Sequence, residues 1–148
     1  MSDSDLIKLY SKTILALAAD IPHAGKLDAP ETRVKKRSPL CGSTVTAEVV
    51  MKDGKISEFA QTVRACALGQ ASASVLGAQA IGLDHDRLLK GRAELAQMLI
   101  HDGPTPSAPF EGLEVLRPAR DYKNRHPSIL LAFDALLEAM EEASSAKA

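Results

Sequence analysis

Two cysteines, Cys41 and Cys66, and four histidines are the residues of this 148-residue chain best suited to act as nucleophiles or soft-metal donors. Cys66 stands in Arg64-Ala65-Cys66-Ala67-Leu68-Gly69-Gln70-Ala71-Ser72-Ala73-Ser74-Val75-Leu76-Gly77, where the strand-like run Ile56 to Val63 gives way to small, helix-compatible residues. Its thiol is expected at or near a helix N-terminus, where unpaired N–H groups and the helix dipole favour a thiolate and Arg64 adds positive charge. Cys66 is therefore a candidate nucleophile or metal ligand. A cysteine flanked by Ala and Leu also reads as a small buried hydrophobe. Two thiolates are half of a four-ligand site for a soft or borderline metal, and His, Asp or Glu would have to supply the rest. Of His23, His85, His101 and His126, the last is the strongest candidate. It sits in Arg125-His126-Pro127-Ser128, just before the last long helix, where it also reads as an ordinary surface residue. His85 and His101 lie in polar surroundings and read as solvated.

The elements that must position these residues follow from periodicity. Thr44 to Met51 and Ile56 to Val63 flank Lys52-Asp53-Gly54-Lys55, a hairpin signal. The hairpin would carry Cys41-Gly42 and Cys66 to the same end of a sheet. Ser2, Asp3 and Ser4 are candidate caps for a first helix over Asp5 to Ala19, with Leu6, Leu9, Tyr10, Thr13, Ile14 and Leu17 at helical spacing. Asp20 to Pro39 reads as a flexible or extended crossing that contains the basic run Arg33-Val34-Lys35-Lys36-Arg37 and contributes a further strand. The basic run is either a solvated face or a docking patch for an acidic partner. After Cys66, helices are expected over Gly69 to Ile81, from Asp84 through Leu89, and over Arg92 to Ile100. A loop over Gly103 to Pro109, a short turn at Phe110 to Leu113, a helix over Pro127 to Ala143 and a fraying tail from Ser144 to Ala148 complete the chain. The order of elements predicts one α+β domain over residues 1–148, a small antiparallel three-stranded sheet with helices packed on one face.

Composition narrows the function. A hydrophobic content of 45% suits a single buried core, and a formal charge of −1 argues against a protein built to neutralise nucleic-acid phosphate. With no Trp, three Phe and two Tyr, the chain lacks aromatic platforms for stacking bases. Its apolar runs are too short to span a bilayer, and two cysteines without a signal-like N-terminus predict a reducing, cytoplasmic setting. There is no nucleophile elbow, no phosphate loop with lysine and no His-Glu-x-x-His spacing, so hydrolase and kinase readings lack support.

Several segments carry a resemblance. Leu9-Tyr10, Pro39-Leu40-Cys41-Gly42, the hairpin, Ala65-Cys66-Ala67-Leu68-Gly69-Gln70-Ala71-Ser72-Ala73-Ser74 and Leu131-Ala132-Phe133-Asp134-Ala135-Leu136 resemble, in order, the IscU/SufU/NifU N-terminal scaffold family of iron–sulfur cluster assembly. The resemblance runs from about Leu9 to Met140 and implies the SufE/NifU-like fold, with the cysteines at one exposed tip. It also implies a non-enzymatic scaffold or carrier that accepts sulfur from a cysteine desulfurase and iron, and passes a nascent cluster to apo-protein acceptors. In the family an aspartate follows the first cysteine by two residues and a third cysteine precedes the last helix. Together with the other two cysteines, these residues hold zinc or a transient iron–sulfur cluster. Here Ser43 and Ser128 occupy those positions, and a serine hydroxyl is a poor ligand for zinc or iron at neutral pH. Cys41 and Cys66 carry over as ligands or sulfur acceptors, and His126 is the candidate third donor. A homodimer could instead complete a two-iron site with four thiolates. The alternative reading is a metal-free persulfide acceptor or a desulfurase-docking protein with no cofactor.

Overall fold

The computed structural model describes residues 11–39 and 42–147. The expected caps Ser2, Asp3 and Ser4, the apolar positions Leu6, Leu9 and Tyr10, and Leu40 and Cys41 lie outside the described residues. Strand β1 (Thr32–Arg37), β2 (Thr44–Lys52) and β3 (Lys55–Arg64) form one antiparallel sheet in the order β1-β2-β3. Among the described residues the helices that accompany it are α1 (Lys12–Ala19), α2 (Ala67–Gln79), α3 (His85–His101) and α4 (His126–Lys147). Two 3₁₀ segments, Glu111–Asp121 and Lys123–Arg125, link α3 to α4.

The hairpin closes where the sequence places it. Asp53 and Gly54 both take positive φ, 54° and 77°, the conformation a two-residue turn requires to match the twist of its strands. Strand alternation then sorts the side chains. Val34 of β1 lies opposite Ala47, and Val45 and Val49 pair with Val63 and Phe59, so these residues share one face of the sheet. A bulge at Val50/Met51 leaves Ser57 unpaired and sets Ile56 opposite Met51. Phe59 and Ile56 can then share a face although their spacing is three rather than even. Helix α4 packs on this face, where Thr32 Oγ1 donates to the carbonyl of Ala139 at 2.9 Å and Lys36 Nζ meets Glu138 at 3.3 Å. The outer edge of β3 is covered at two places. Gly25 and His23 exchange backbone hydrogen bonds with Gln61, and Leu83 and Gly82 do the same with Ile56, all between 2.8 and 2.9 Å. Such cover removes an unpaired edge as a site of aggregation.

The structure revises several sequence expectations. The first described helix begins at Lys12, because Ser11 is extended and its Oγ accepts from Ile14 N at 3.3 Å, which makes it an N-cap rather than a helix-interior residue. Within Asp20 to Pro39, residues Thr32–Arg37 form the expected third strand, so the basic run is ordered β-structure. The two helices expected between Asp84 and Ile100 are one. Asp84 caps it through Oδ1 to Arg87 N at 2.7 Å, and the chain runs unbroken through Gly91 to His101. The short turn expected at Phe110 is an 11-residue 3₁₀ segment. Arg117 fastens this segment by donating to Asp102 and to the carbonyl of Gly103, both at 2.8 Å, with Glu114 on its other side. The terminal helix continues through Lys147, past the expected fraying point at Ser144. His85, read as solvated, pairs its Nε2 with Glu141 at 2.8 Å.

Gly91 explains why the helix is continuous. A Cβ there would stand 2.5 Å from Cδ2 and Cε2 of Phe110, a fully buried ring packed edge-on against Phe133 at 5.5 Å. The glycine makes room for the aromatic pair that joins α3 to α4, and its helix-propensity cost of about 1 kcal/mol is accepted for that contact. Gly91→Ala should destabilise the protein by roughly 1–2 kcal/mol despite alanine's better propensity, because overpacking outweighs it. Urea unfolding checks this, and an unchanged or raised midpoint would show that Phe110 has room to move.

Candidate functional site

Cys66 is the residue immediately before α2, extended at φ −65° and ψ 169°, and its side chain caps no backbone N–H. The strand-to-helix boundary expected from sequence is therefore where the structure has it, and the thiol is half-buried rather than enclosed in the core. Its nearest polar neighbour is Ser128, in the first turn of α4, with Cys66 Sγ 3.6 Å from Ser128 Oγ. Ser128 Oγ in turn lies 3.0 Å from Ser43 Oγ, just ahead of β2. Both serines are buried, at 1% and 6% exposure, so a mutual hydrogen bond is needed to offset their desolvation. Three elements far apart in sequence thus meet in a short polar chain of one thiol and two hydroxyls.

Backbone packing holds these groups together. Gly69, in the first turn of α2, faces Ser128 so closely that a Cβ would lie 2.8 Å from its Oγ and 3.0 Å from its carbonyl oxygen. One turn further on, the buried hydroxyl of Ser72 donates to the carbonyl of Ile129 at 2.7 Å. On the sheet side, Ser38 N donates to the carbonyl of Ser43 at 2.8 Å and Gly42 N to the carbonyl of Ser38 at 3.0 Å. These bonds fold the chain between β1 and β2 over the sheet end. Ser43 precedes Thr44, and Thr44 lies opposite both Arg37 and Arg64. The hairpin therefore brings Gly42-Ser43 to Cys66; Cys41, expected at the same sheet end, lies outside the described residues.

Beside the thiol is an open cleft of about 530 Å³, lined by Gly42, Ser43, Val63, Arg64, Cys66 and Arg125 among others. Among the described residues no carboxylate lines it, and the two charged residues that do are both arginines. Arg125 is a contributor that sequence reasoning overlooked, although it stood in the Arg125-His126-Pro127-Ser128 segment already singled out. The favoured residue of that segment, His126, lies elsewhere. It is buried at 8% exposure, its Nε2 donates to the carbonyl of Ala119 at 3.0 Å, and it lines a separate groove with Ser38, Pro39 and Lys123. Its imidazole braces the 3₁₀ segment against the start of α4.

Among the described residues no three His, Cys, Asp or Glu side chains are grouped to hold a metal ion. Among the described residues the donors in the cleft are one thiol and two hydroxyls, the hydroxyls bonded to each other; zinc and iron prefer anionic, sulfur-rich donors. No described helix is long and apolar enough to cross a membrane.

No family model matches the chain. Among solved structures it is similar to a nitrogen-fixing NifU-like protein (N-terminal) from Brucella abortus, 40% identical with a TM-score of 0.91, over 95% of this chain and 98% of that one. A scaffold protein for the SUF system from Fervidobacterium islandicum AW-1 shares the fold at 21% identity and a TM-score of 0.81, covering 90% of this chain and 98% of that one. Among curated proteins it is similar to the iron–sulfur cluster assembly scaffold protein IscU of Streptococcus pyogenes serotype M1, 26% identical over 99% of this chain and 92% of that protein. Identity of 40% across nearly the whole length, with the same α+β architecture and a cysteine opening α2, places the chain in the IscU/SufU/NifU family of iron–sulfur cluster assembly scaffolds.

Proposed function

We propose that this chain serves iron–sulfur cluster assembly as a non-enzymatic carrier in the cytoplasm, with Cys66 as the residue that takes up cargo and Cys41 as the second thiol. The observation that supports this most is the placement of Cys66, half-exposed at the head of α2 and beside the two positions where the family carries its other ligands. The cargo is sulfur delivered by a cysteine desulfurase, iron, or both, and apo-proteins receive it. A single chain with two thiols cannot complete a four-thiolate cluster site. A pair of chains that together contribute Cys41 and Cys66 twice can do so, as a two-iron cluster requires.

A second reading is favoured by one specific feature, the hydrogen bond between Ser43 and Ser128. It joins the two substituted ligand positions to each other, so the site satisfies its own polar groups without metal. Cys66 would then act alone, taking persulfide sulfur by thiolate attack on the donor's terminal sulfur. The donor's cysteine leaves as a thiolate, and the new S–S bond forms on Cys66. In this reading His126 is not needed as a donor, and its Nε2 serves the carbonyl of Ala119.

Iron and acid-labile sulfide per chain after anaerobic reconstitution separate the two readings. About one iron and one sulfide per chain, in a species of twice the monomer mass, is the result expected of a bridged cluster. No retained iron, together with a mass increase of one sulfur on Cys66 after incubation with desulfurase and cysteine, would overturn the cluster reading and establish the metal-free one. A second prediction concerns the serines. The Ser43→Asp/Ser128→Cys variant should retain about one zinc per chain through gel filtration where the native protein loses it, because both new donors are anionic or readily made so. Elemental analysis of the eluted protein checks this, and equal zinc in both would show that the serines are not what limits metal binding.

A further inference from the structure

The basic run of β1 takes on a specific form in the sheet. Arg33, Lys35 and Arg37 are exposed and alternate with buried Val34, so they project from the face opposite the helices. Lys36 points the other way and pairs with Glu138. Arg33 is partly neutralised by Glu48, its partner across the strands, at 3.6 Å. Lys35 and Arg37 have no ion pair among the described residues, and neither do Arg64 and Arg125 at the thiol cleft. Arg37, Thr44 and Arg64 lie in register across the three strands, which sets the two arginines about 9.6 Å apart on one face. Arg37 also stands over the loop before β2, since a Cβ on Gly42 would lie 3.5 Å from its Nη2.

We infer that Lys35, Arg37 and Arg64, with Arg125 at the far side of the cleft, form a docking surface for an acidic protein face that exchanges cargo with Cys66. The geometry favours a protein over a small anion: these cations are spread over strand spacings instead of converging within hydrogen-bond distance of one point. It favours a protein over nucleic acid because the exposed Glu58 shares the same sheet face, and the chain is slightly acidic overall with 3% aromatic residues. Unpaired cations cost nothing in a monomer exposed to water, yet steer an acidic partner and fix its orientation on approach. The surface ends at the thiol, so a partner bound there presents its own reactive group to Cys66. The inference rests on the reading of Cys66 as the cargo residue.

The test is binding of purified cysteine desulfurase to the full chain, followed by stopped-flow and calorimetry between about 50 and 200 mM salt. The Lys35→Glu/Arg37→Glu variant should associate about tenfold more slowly and lose most of the salt dependence. Lys52→Glu, at the opposite end of the sheet, should bind like the native protein. Equal rates for all variants, salt-independent binding, no binding, or tighter association with a DNA duplex of about 20 base pairs would each overturn the inference. Salt-sensitive binding that is lost in the double variant while Cys66 takes up neither sulfur nor iron would leave the docking surface standing and reject the functional reading beneath it.

Discussion

Everything at the site depends on how closely α2 can approach α4. Gly69 leaves no space for a side chain against the backbone of Ser128, and Ser72 then bonds the carbonyl of Ile129, so the first turns of the two helices are locked at one separation. A buried neutral hydrogen bond of this kind contributes about 1 kcal/mol net, but losing one partner would leave the other desolvated and unsatisfied at higher cost. Cys66 lies just before the first residue of α2, so its 3.6 Å approach to Ser128 is set by that backbone contact and not by the side chains themselves. The small-residue character of Ala67 to Gly77 is the sequence expression of the same constraint: bulk on this face of α2 would push the thiol away from the other two elements.

The second anchor is the start of α4. The 3₁₀ segment Glu111–Asp121 packs against α2 and α3, with Leu113, Leu116 and Ala119 buried, and His126 donates to the carbonyl at its end. Arg117 ties the same segment back to the end of α3. With both ends held, α4 begins at a defined height above the sheet end, and Ser128 lands within reach of Ser43. His126 satisfies the carbonyl of Ala119 through Nε2. A buried carbonyl at the end of a 3₁₀ segment needs a donor, and an imidazole N–H supplies one.

Where the sequence was legible, the reason was periodicity or punctuation. Asp53-Gly54 between alternating runs announced the hairpin, and the change from β-branched to small residues at Cys66 announced the head of α2. The merged α3 was hidden because Gly91 reads locally as a break, while its reason, the ring of Phe110, arrives 19 residues later. The long 3₁₀ segment was missed because Pro118 and a mixed charge pattern carry no helical period. At the site, Ser43 and Ser128 could be located only through the family pattern, since nothing in their own neighbourhoods marks a ligand position. Arg125 carries no local signal that separates it from an ordinary surface cation, whereas the histidine next to it is the more versatile donor type.

The substitutions and the arginines together suggest what kind of cargo the cleft suits. A site with three thiolates and a carboxylate accumulates negative charge that a divalent metal offsets. Replacing one thiolate and the carboxylate with neutral hydroxyls removes two of those charges, while Arg64 and Arg125 remain at the rim with no carboxylate beside them. Among the described residues the charged groups lining the cleft are then both cations, which would repel an entering cation where the family pattern offers attraction. A persulfide on Cys66 is the opposite case: it is anionic near neutral pH, and the two guanidinium groups can stabilise it without a metal. The same charges that would disfavour iron binding to one chain would favour holding sulfur on it. A second chain bringing further thiolates would restore the negative balance, so the bridged-cluster and metal-free readings differ first in the charge of the cleft.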